Sequence, residues 1–280
     1  MSDYRQESRS RWGASAKAWE AHAEQMRRDT MPVSSWMVDA LGPQPGDTLL
    51  ELAAGPGETG FLAAELIRPG GTLISSDISP EMLSVAQRRA QTLGVDNVRF
   101  KQIDAETSID VETASVDGVL CRWGYMLMAD PETALRETRR VLRSGRRVAL
   151  AAWAGPDENL WSALPVREMV ARGVWEPPDP AVPGQFTWGE EGLIAQHLDA
   201  AGFTEHRVEP LDMPLSYRSA ADWWAAALAL SSGFRAAVQQ ASDDDLAAVG
   251  DALDRHAERF ATPDGSLQIP ARTWVAWAAA

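Results

Sequence analysis

The chain is poor in cysteine, histidine and positive charge, and each shortage narrows the functions open to it. Cys121 is its single cysteine, which excludes an internal disulfide and is typical of a reducing cytoplasm. Lysine and arginine number 26 against 40 acidic residues, and a net charge of -14 disfavours binding to an anionic nucleic acid. The four histidines are not spaced as metal ligands, so no metal is expected. No apolar run reaches the roughly 18 residues that a membrane span requires.

The segment from Leu49 to Ile67 has the pattern of a buried strand, a tight turn and a helix. Its apolar run ends at Glu51, passes into a loop with Gly55, Gly57 and Gly60, and then repeats apolar residues at helical spacing. Glycine in such a loop lets the backbone adopt positive φ and come close to a ligand. Open α/β sheets bind nucleotides at turns of this kind, so the loop predicts a site for an adenosine-containing ligand.

Two such ligands fit the loop. The spacing Gly55-x-Gly57-x-x-Gly60 satisfies the dinucleotide fingerprint, and Asp77 lies where an acid for ribose hydroxyls is expected, which keeps an NAD-dependent oxidoreductase open. Against that reading, Glu51 places a carboxylate at the strand end, where the methionyl ammonium of S-adenosylmethionine needs an anion. The strand also follows a long helical leader. None of the three tyrosines has a lysine four residues later, which removes one common dehydrogenase chemistry.

Four motifs follow one another between residues 45 and 154. They occupy residues 51–57, 73–82, 98–106 and 116–124. In order and spacing they resemble the class I S-adenosylmethionine-dependent methyltransferases, and among these the group that includes the ubiquinone and menaquinone biosynthesis enzymes. Ala53 stands where the family motif has its first glycine, a replacement of one small residue by another.

The resemblance implies S-adenosylmethionine as the cofactor and a role for each motif. Glu51 is expected to hold the methionyl ammonium, and Asp77 the ribose hydroxyls. Asp104 and Ala105 are expected to read the adenine edge, with Met82 packed on the adenine face. The residues implied in cofactor binding are Glu51, Ala53, Gly55, Gly57, Asp77, Ile78, Met82, Asp104, Ala105, Glu106 and Arg122.

The loop after the fourth strand faces the reacting methyl group in this family, so Arg122 and Trp123 are expected to shape the reacting end. The loop lacks the Asn/Asp-Pro-Pro-Tyr/Phe motif of nucleic-acid amino methyltransferases, which argues against a nucleobase acceptor. His22 on the leader is the candidate general base, because imidazole exchanges a proton near neutral pH. An ordinary exposed helix histidine is the competing interpretation of His22. A cofactor-binding protein without catalysis also stays open.

Twelve tryptophans are many for this length, and several fall in or beside the stretches outside the core. They are Trp161, Trp175, Trp188, Trp223 and Trp224. Aromatic walls suit a flat apolar acceptor, whereas the same rings could instead fasten a cap to the sheet. We therefore expect a small aromatic or hydrophobic acceptor and leave both interpretations of the rings open. Whether the protein forms a homodimer is also left open.

The predicted fold is a doubly wound α/β sandwich with a seven-stranded, mostly parallel sheet and helical cap insertions. The sixth strand is predicted at residues 206–213 and the seventh at 272–278, antiparallel at or near the sheet edge. The predicted organisation is a helical leader (1–45), a cofactor-binding core (46–154), a cap insertion (155–188), a core helix and strand (189–218), a helical cap insertion (219–268) and a last core strand (269–280).

Overall fold

A single sheet forms the centre of the molecule in the computed structural model, which describes residues 2–176, 179 and 181–280. The strands are β1 (Thr48–Glu51), β2 (Thr72–Asp77), β3 (Val98–Gln102), β4 (Val116–Arg122), β5 (Leu142–Trp153), β6 (Glu205–Tyr217) and β7 (Leu267–Ala279). They lie in the order β3-β2-β1-β4-β5-β7-β6. Strands β1 to β5 pair in parallel, and β7 runs antiparallel to both β5 and β6. The predicted fold class is confirmed.

Helices flank the sheet and build the cap. They are α1 (Ser2–Leu41), α2 (Glu58–Leu66), α3 (Pro80–Leu93), α4 (Pro131–Val141), α5 (Leu160–Ala171), α6 (Leu193–Ala200), α7 (Ala220–Leu230), α8 (Ser232–Val238) and α9 (Asp243–Ala257). The Ser79 side chain accepts a hydrogen bond from the amide of Met82, and a proline opens α3, which together explain why the helix begins there. Among the described residues, every helix is too short or too polar to cross a membrane.

The order of the strands places a cleft beside β1. Strand β1 pairs with β2 on one side and with β4 on the other, so the chain winds away from β1 in both directions. The loops at the carboxyl ends of β1 and β4 lead the chain in opposite directions along the sheet, toward β2 and toward β5, and open α/β sheets bind ligands at such a point.

Helix α1 is much longer than an average helix and joins the core to the cap. It continues through Pro32, which has no amide hydrogen to donate within the helix. Ala16 packs against Met82 of α3, with Trp12 and Trp19 beside them. Near its other end, Leu41 lies against Gly118, where a Cβ would come within 3.0 Å of the leucine side chain. The predicted helical leader is thus one continuous helix.

The last two strands are longer than the sequence pattern predicts. Strands β6 and β7 each have 13 residues and pair along their whole length, from Glu205 with Ala279 to Tyr217 with Leu267. Strand β5 pairs only with residues 273–279 of β7, so the rest of the β6–β7 pair extends beyond the sheet as a two-stranded ribbon. Strand β7 lies inside the sheet, and β6 forms the edge.

The cap is mainly helical. The 155–188 stretch, in which the sequence shows no repeat, contains α5, and Asn159 ties its start to the carbonyls of Ala154 and Arg272. Within the 219–268 cap insertion, α7 ends at Leu230 and α8 begins at Ser232, so the first two helices are separate.

Candidate functional site

The loops that leave β1 and β4 meet at the cleft in a constrained backbone conformation. Gly55 and Gly57 have φ of 53° and 92°, in the left-handed region that glycine tolerates. Ala53 (φ 50°) and Trp123 (φ 57°) adopt the same region without that freedom. A Cβ on Gly124 would lie 2.8 Å from the Cβ of Ala53, so the two loops touch. Strained backbone of this kind clusters at ligand sites.

Glu51 is a buried carboxylate with one oxygen left free. Its Oε1 accepts a hydrogen bond from the amide of Gly60 at 2.8 Å, and its Oε2 has no hydrogen-bond partner in the protein. Burial raises the pKa of Glu51 to about 8, against the opposing effects of the Gly60 amide and of Arg122. A Cβ at position 60 would overlap Oε2, so glycine there makes room for the carboxylate. The free oxygen suits a bound cation.

Asp77 fastens the glycine loop to the end of β2. Its Oδ2 accepts from the Gly55 amide at 3.0 Å and its Oδ1 from the Ser79 amide at 2.9 Å. Burial raises the pKa of Asp77 to about 6, although the backbone amides oppose the shift. Each carboxylate oxygen can accept a further hydrogen bond, so these contacts leave capacity for a hydroxyl ligand.

A cavity of about 340 Å³ opens at the carboxyl ends of β2 and β3. Ile78, Gln102 and Asp104 line it from the carboxyl ends of β2 and β3. Its other wall consists of Arg5, Gln6 and Arg9 from the first turns of α1. Two of the predicted cofactor-binding residues, Ile78 and Asp104, are thus brought together at one cavity.

Three other predicted cofactor-binding residues are in contact with other parts of the protein. Met82 is 2% exposed and packs against α1. Ala105 is buried in the main core, and Glu106 accepts a hydrogen bond from the amide of Asp130 at 2.7 Å. Their predicted contacts with a cofactor stay predictions.

Arg122 is buried and its guanidinium already has protein partners. It donates to Thr30 at 2.5 Å, more weakly to Ser34 at 3.4 Å, and to Glu58 at 3.2 Å. Glu58 also lies 3.4 Å from Arg89. This network fastens α1 to the carboxyl end of β4, which gives Arg122 a structural role beside the ligand-binding role that the sequence predicts.

Trp123 turns its side chain into the core. Its ring stacks on Trp153 at 4.2 Å between centroids, and its indole nitrogen donates to Thr273 at 3.0 Å. The left-handed backbone at Trp123, rather than its ring alone, shapes the loop that faces the cleft.

Known proteins resemble this chain in sequence. A family model described as a methyltransferase domain matches residues 43–170. The nocamycin O-methyltransferase of Saccharothrix syringae is 30% identical over 206 residues, which cover 68% of this chain and 70% of that protein. The chain belongs to the S-adenosylmethionine-dependent methyltransferases.

Other relatives of this chain match a shorter stretch. The ubiquinone/menaquinone biosynthesis C-methyltransferase UbiE of Hahella chejuensis is 31% identical over 46% of this chain and 55% of that protein. An uncharacterized 37.1 kDa protein in transposon TN4556 of Streptomyces fradiae is 35% identical, and only 36% of it is matched. The chain thus spans from about a third to about two thirds of the length of these relatives.

Solved structures share the fold of this chain. The YcgJ protein from Bacillus subtilis matches with a TM-score of 0.59 at 20% identity, over 89% of this chain and 98% of that one. The [4+2]-cyclase SpnF matches with a TM-score of 0.51 at 15% identity, over 89% and 80%. At these identities the likeness concerns the fold and leaves the reaction to be argued from the site.

His22 lies on α1 and has contacts away from the glycine loop. Its Nδ1 lies 2.9 Å from the carbonyl oxygen of Ala18, so Nδ1 carries the hydrogen and Nε2 is the nitrogen available to a proton. Asp222 at the start of α7 has its pKa lowered mainly by the hydrogen bond from Arg218 and, to a smaller extent, by its proximity to His22. Its predicted role as general base stays a prediction.

The residues that α1 contributes to the cavity were not predicted from the sequence. Arg5 and Arg9 are four residues apart, so they share one face of the helix, and this spacing was readable in the sequence. Glu58 was also missed, although it opens α2 directly after the glycine loop. Within the described residues, no three His, Cys, Asp or Glu side chains group as metal ligands would.

Proposed function

We propose that this protein transfers a methyl group from S-adenosylmethionine to a small molecule. The observation that carries the proposal is the buried Glu51 carboxylate, which keeps a free oxygen beside the glycine loop at the carboxyl end of β1, next to β4. Family membership supports the same cofactor, and the cavity next to Asp104 has room for its adenosyl end.

The residues present fit this cofactor. Glu51 would bind the methionyl ammonium, because an unpartnered buried carboxylate gains a charge-assisted hydrogen bond from a cation. Gly55 and Gly57 would let the backbone approach, and Asp77 would accept from the ribose hydroxyls. Asp104 with Ile78 would border the adenine. When bound, the cofactor supplies a methyl group on a sulfonium, a carbon already activated for displacement.

The protein's contribution to such a displacement is alignment and exclusion of water. The loops after β1 and β4 touch at Ala53 and Gly124, which narrows the reacting end. The helical cap and α1 pack over the same side of the molecule, since Trp223 of α7 donates to the carbonyl of Trp161 and Arg235 of α8 to Ser15 of α1.

The acceptor class that we propose is a small aromatic or hydrophobic molecule. Trp161, Trp175 and Trp224 are only partly buried and lie in the cap, where they could contact such an acceptor. Trp188 and Trp223 are fully buried, so these two rings fasten the cap to the sheet. Relatives named as O- and C-methyltransferases both occur, and the atom that accepts the methyl group is left open.

Calorimetric titration with S-adenosylhomocysteine tests the cofactor, with NAD as the parallel titrant. We expect micromolar binding of the former and none of the latter. Asp77→Ala should weaken binding by more than about tenfold, because a buried hydroxyl pair loses its acceptor. Binding of NAD alone would contradict the proposal and favour an oxidoreductase.

Catalysis is tested separately with methyl-labelled S-adenosylmethionine and a panel of phenols, quinols and hydrophobic amines. Label transfer to any of them that depends on the protein supports the proposal. Tight cofactor binding with no transfer across the panel would instead favour a cofactor-binding protein without catalysis. His22→Ala with unchanged turnover would remove His22 as the general base.

A further inference from the structure

The first turns of α1 lie across the open side of the cavity at the ends of β2 and β3. Arg5, Gln6 and Arg9 face Ile78, Gln102 and Asp104 over a space of about 340 Å³. Without these three side chains the cavity would have walls only from the sheet. The leader therefore completes an enclosure that the core domain by itself leaves open.

Arg5 is aimed at the carboxylate that borders the cavity. Its Nε lies 3.6 Å from Oδ2 of Asp104, which is longer than a hydrogen bond, and both side chains are 28% exposed. The other oxygen, Oδ1, accepts from the amide of Glu106 at 3.1 Å. Asp104 is thus held in orientation by the backbone on one side and by the charge of Arg5 on the other, while Oδ2 can still accept from a ligand.

A second contact fixes the start of α1 in this place. The Tyr4 hydroxyl lies 2.9 Å from the carbonyl oxygen of Leu127 and 3.1 Å from that of Pro183. Leu127 follows β4, and Pro183 belongs to the cap. The helix start is therefore tied both to the loop at the reacting end and to the cap, and it cannot leave the cavity without breaking these contacts.

The charges around the helix start are complementary. Arg5 is within electrostatic range of Glu106 and Asp130, and Arg9 is within range of Glu81. In a chain with a net charge of -14, Arg5 and Arg9 place two cations on the cavity wall that faces Asp104.

We propose that Arg5 and Arg9 are binding residues for the adenosyl end of the cofactor, with Arg5 also positioning Asp104. This inference rests on the proposed function and deepens it, because it adds residues from the leader to a site otherwise built by the core. An arginine side chain combines a planar face that packs on an aromatic base with a charge that holds a carboxylate.

The test compares two ligands that share only the adenosyl end. S-Adenosylhomocysteine carries the amino-acid end as well, whereas 5′-methylthioadenosine lacks it. The variants Arg5→Ala, Arg9→Ala and the double variant are titrated with both ligands. Lys17→Ala is the matched control, since Lys17 is an exposed cation on the same helix.

We expect the double variant to weaken both ligands by the same factor, about tenfold, and Lys17→Ala to change neither by more than about twofold. Glu51→Gln should weaken S-adenosylhomocysteine and spare 5′-methylthioadenosine, because Glu51 faces the amino-acid end. Without ligand, the double variant and Lys17→Ala should unfold at the same midpoint. Equal midpoints would show that the weaker binding comes from lost contacts with the ligand and not from a less stable fold.

Two results would overturn this inference. One is unchanged affinity of the double variant for both ligands, and the other is a loss for S-adenosylhomocysteine alone. Either leaves the proposed function intact. Absence of S-adenosylhomocysteine binding by the wild-type protein would overturn the proposed function, and this inference with it.

Discussion

Single residues of the site are held in states that an isolated side chain would avoid. Glu51 and Asp77 are carboxyls removed from water, and burial raises the pKa of each, to about 8 and about 6. Both are held by backbone amides of the glycine loop or its neighbours. Such groups cost stability in the free protein, and a bound cation or hydroxyl offsets that cost.

Glu51→Gln is expected to gain stability relative to the wild type as the pH rises. In the wild type the folded pKa of Glu51 is about 8 and the ordinary value is 4.5, so the folded state retains a proton that the unfolded state releases. Below pH 4.5 both states hold the proton, and its full contribution to stability is present. Between pH 4.5 and about pH 8 the free energy of unfolding of the wild type falls by about 1.4 kcal/mol per pH unit.

Thermal unfolding of both ligand-free proteins at pH 5, 6.5 and 8 measures this difference. Glu112→Gln, an exposed replacement, should follow the wild type. Parallel curves for Glu51→Gln and the wild type would contradict the prediction.

Ala53→Gly should stabilise the protein. Ala53 has φ of 50°, which costs an alanine about 1 kcal/mol relative to glycine, and the gain is reduced by the greater freedom of glycine when unfolded. Denaturant unfolding should show a gain of about 0.5 kcal/mol, with S-adenosylhomocysteine affinity preserved. Ala114→Gly, at φ 51° in an exposed turn away from the cleft, is the matched comparison. A loss of stability in Ala53→Gly alone would show that the methyl group has a packing role.

Among the secondary-structure elements, helix α1 has a larger structural role than the sequence predicts for a leader helix. Its amphipathic spacing was visible in the sequence, yet Pro32 would ordinarily mark the end of a helix. The helix continues because its last turns pack into the main core through Val33, Met37 and Leu41, so tertiary contacts outweigh the lost hydrogen bond. Local propensity cannot reveal contacts of this kind.

The buried pair of Arg122 and Glu58 joins β4 to the start of α2, and hydrogen bonds from Arg122 to Thr30 and Ser34 extend this network to α1. Arg122→Met leaves Glu58 buried with only Arg89 nearby, and the free energy of unfolding should fall by about 3 kcal/mol. The double variant Glu58→Gln with Arg122→Met should recover part of that loss.

Arg88→Ala is the control for this prediction, because it removes an exposed α1–α3 ion pair and should have little effect. Equal losses in Arg88→Ala and Arg122→Met, measured by denaturant unfolding, would contradict the assigned role.

In the whole molecule, one hydrophobic cluster extends from the sheet into the cap. It includes Leu50 and Val119 of the sheet as well as Trp223, Phe234 and Leu253 of the cap helices. A ligand that binds the core should therefore stabilise the cap as well, and the protein should unfold as one unit.

Saturation with S-adenosylhomocysteine at about 100 times its Kd should stabilise the folded state by about 2.7 kcal/mol. For a chain of 280 residues the midpoint should rise by about 5 °C, and NAD should produce no shift. Circular dichroism and tryptophan fluorescence should report the same midpoint. A cap that melts before the core and ignores the ligand would contradict a single cooperative unit.

The sheet, the glycine loop and the carboxylates at the strand ends could be predicted from the sequence, because these features follow from short-range patterns. Apolar runs, glycine spacing and the position of Glu51 and Asp77 are local properties, and the winding of parallel strands brings their carboxyl ends to one edge. The ribbon of β6 and β7 escaped the sequence pattern, since its outer residues pair only with each other.

The distant residues that complete the site could be identified only in the folded protein. Arg5 and Asp104 are 99 positions apart and Arg122 and Thr30 are 92 apart, and no local pattern joins such pairs. Their meeting depends on how a long helix packs across the sheet, which is set by the shape of the whole core. For the same reason the free oxygen of Glu51 could be recognised only after every neighbouring donor had been placed.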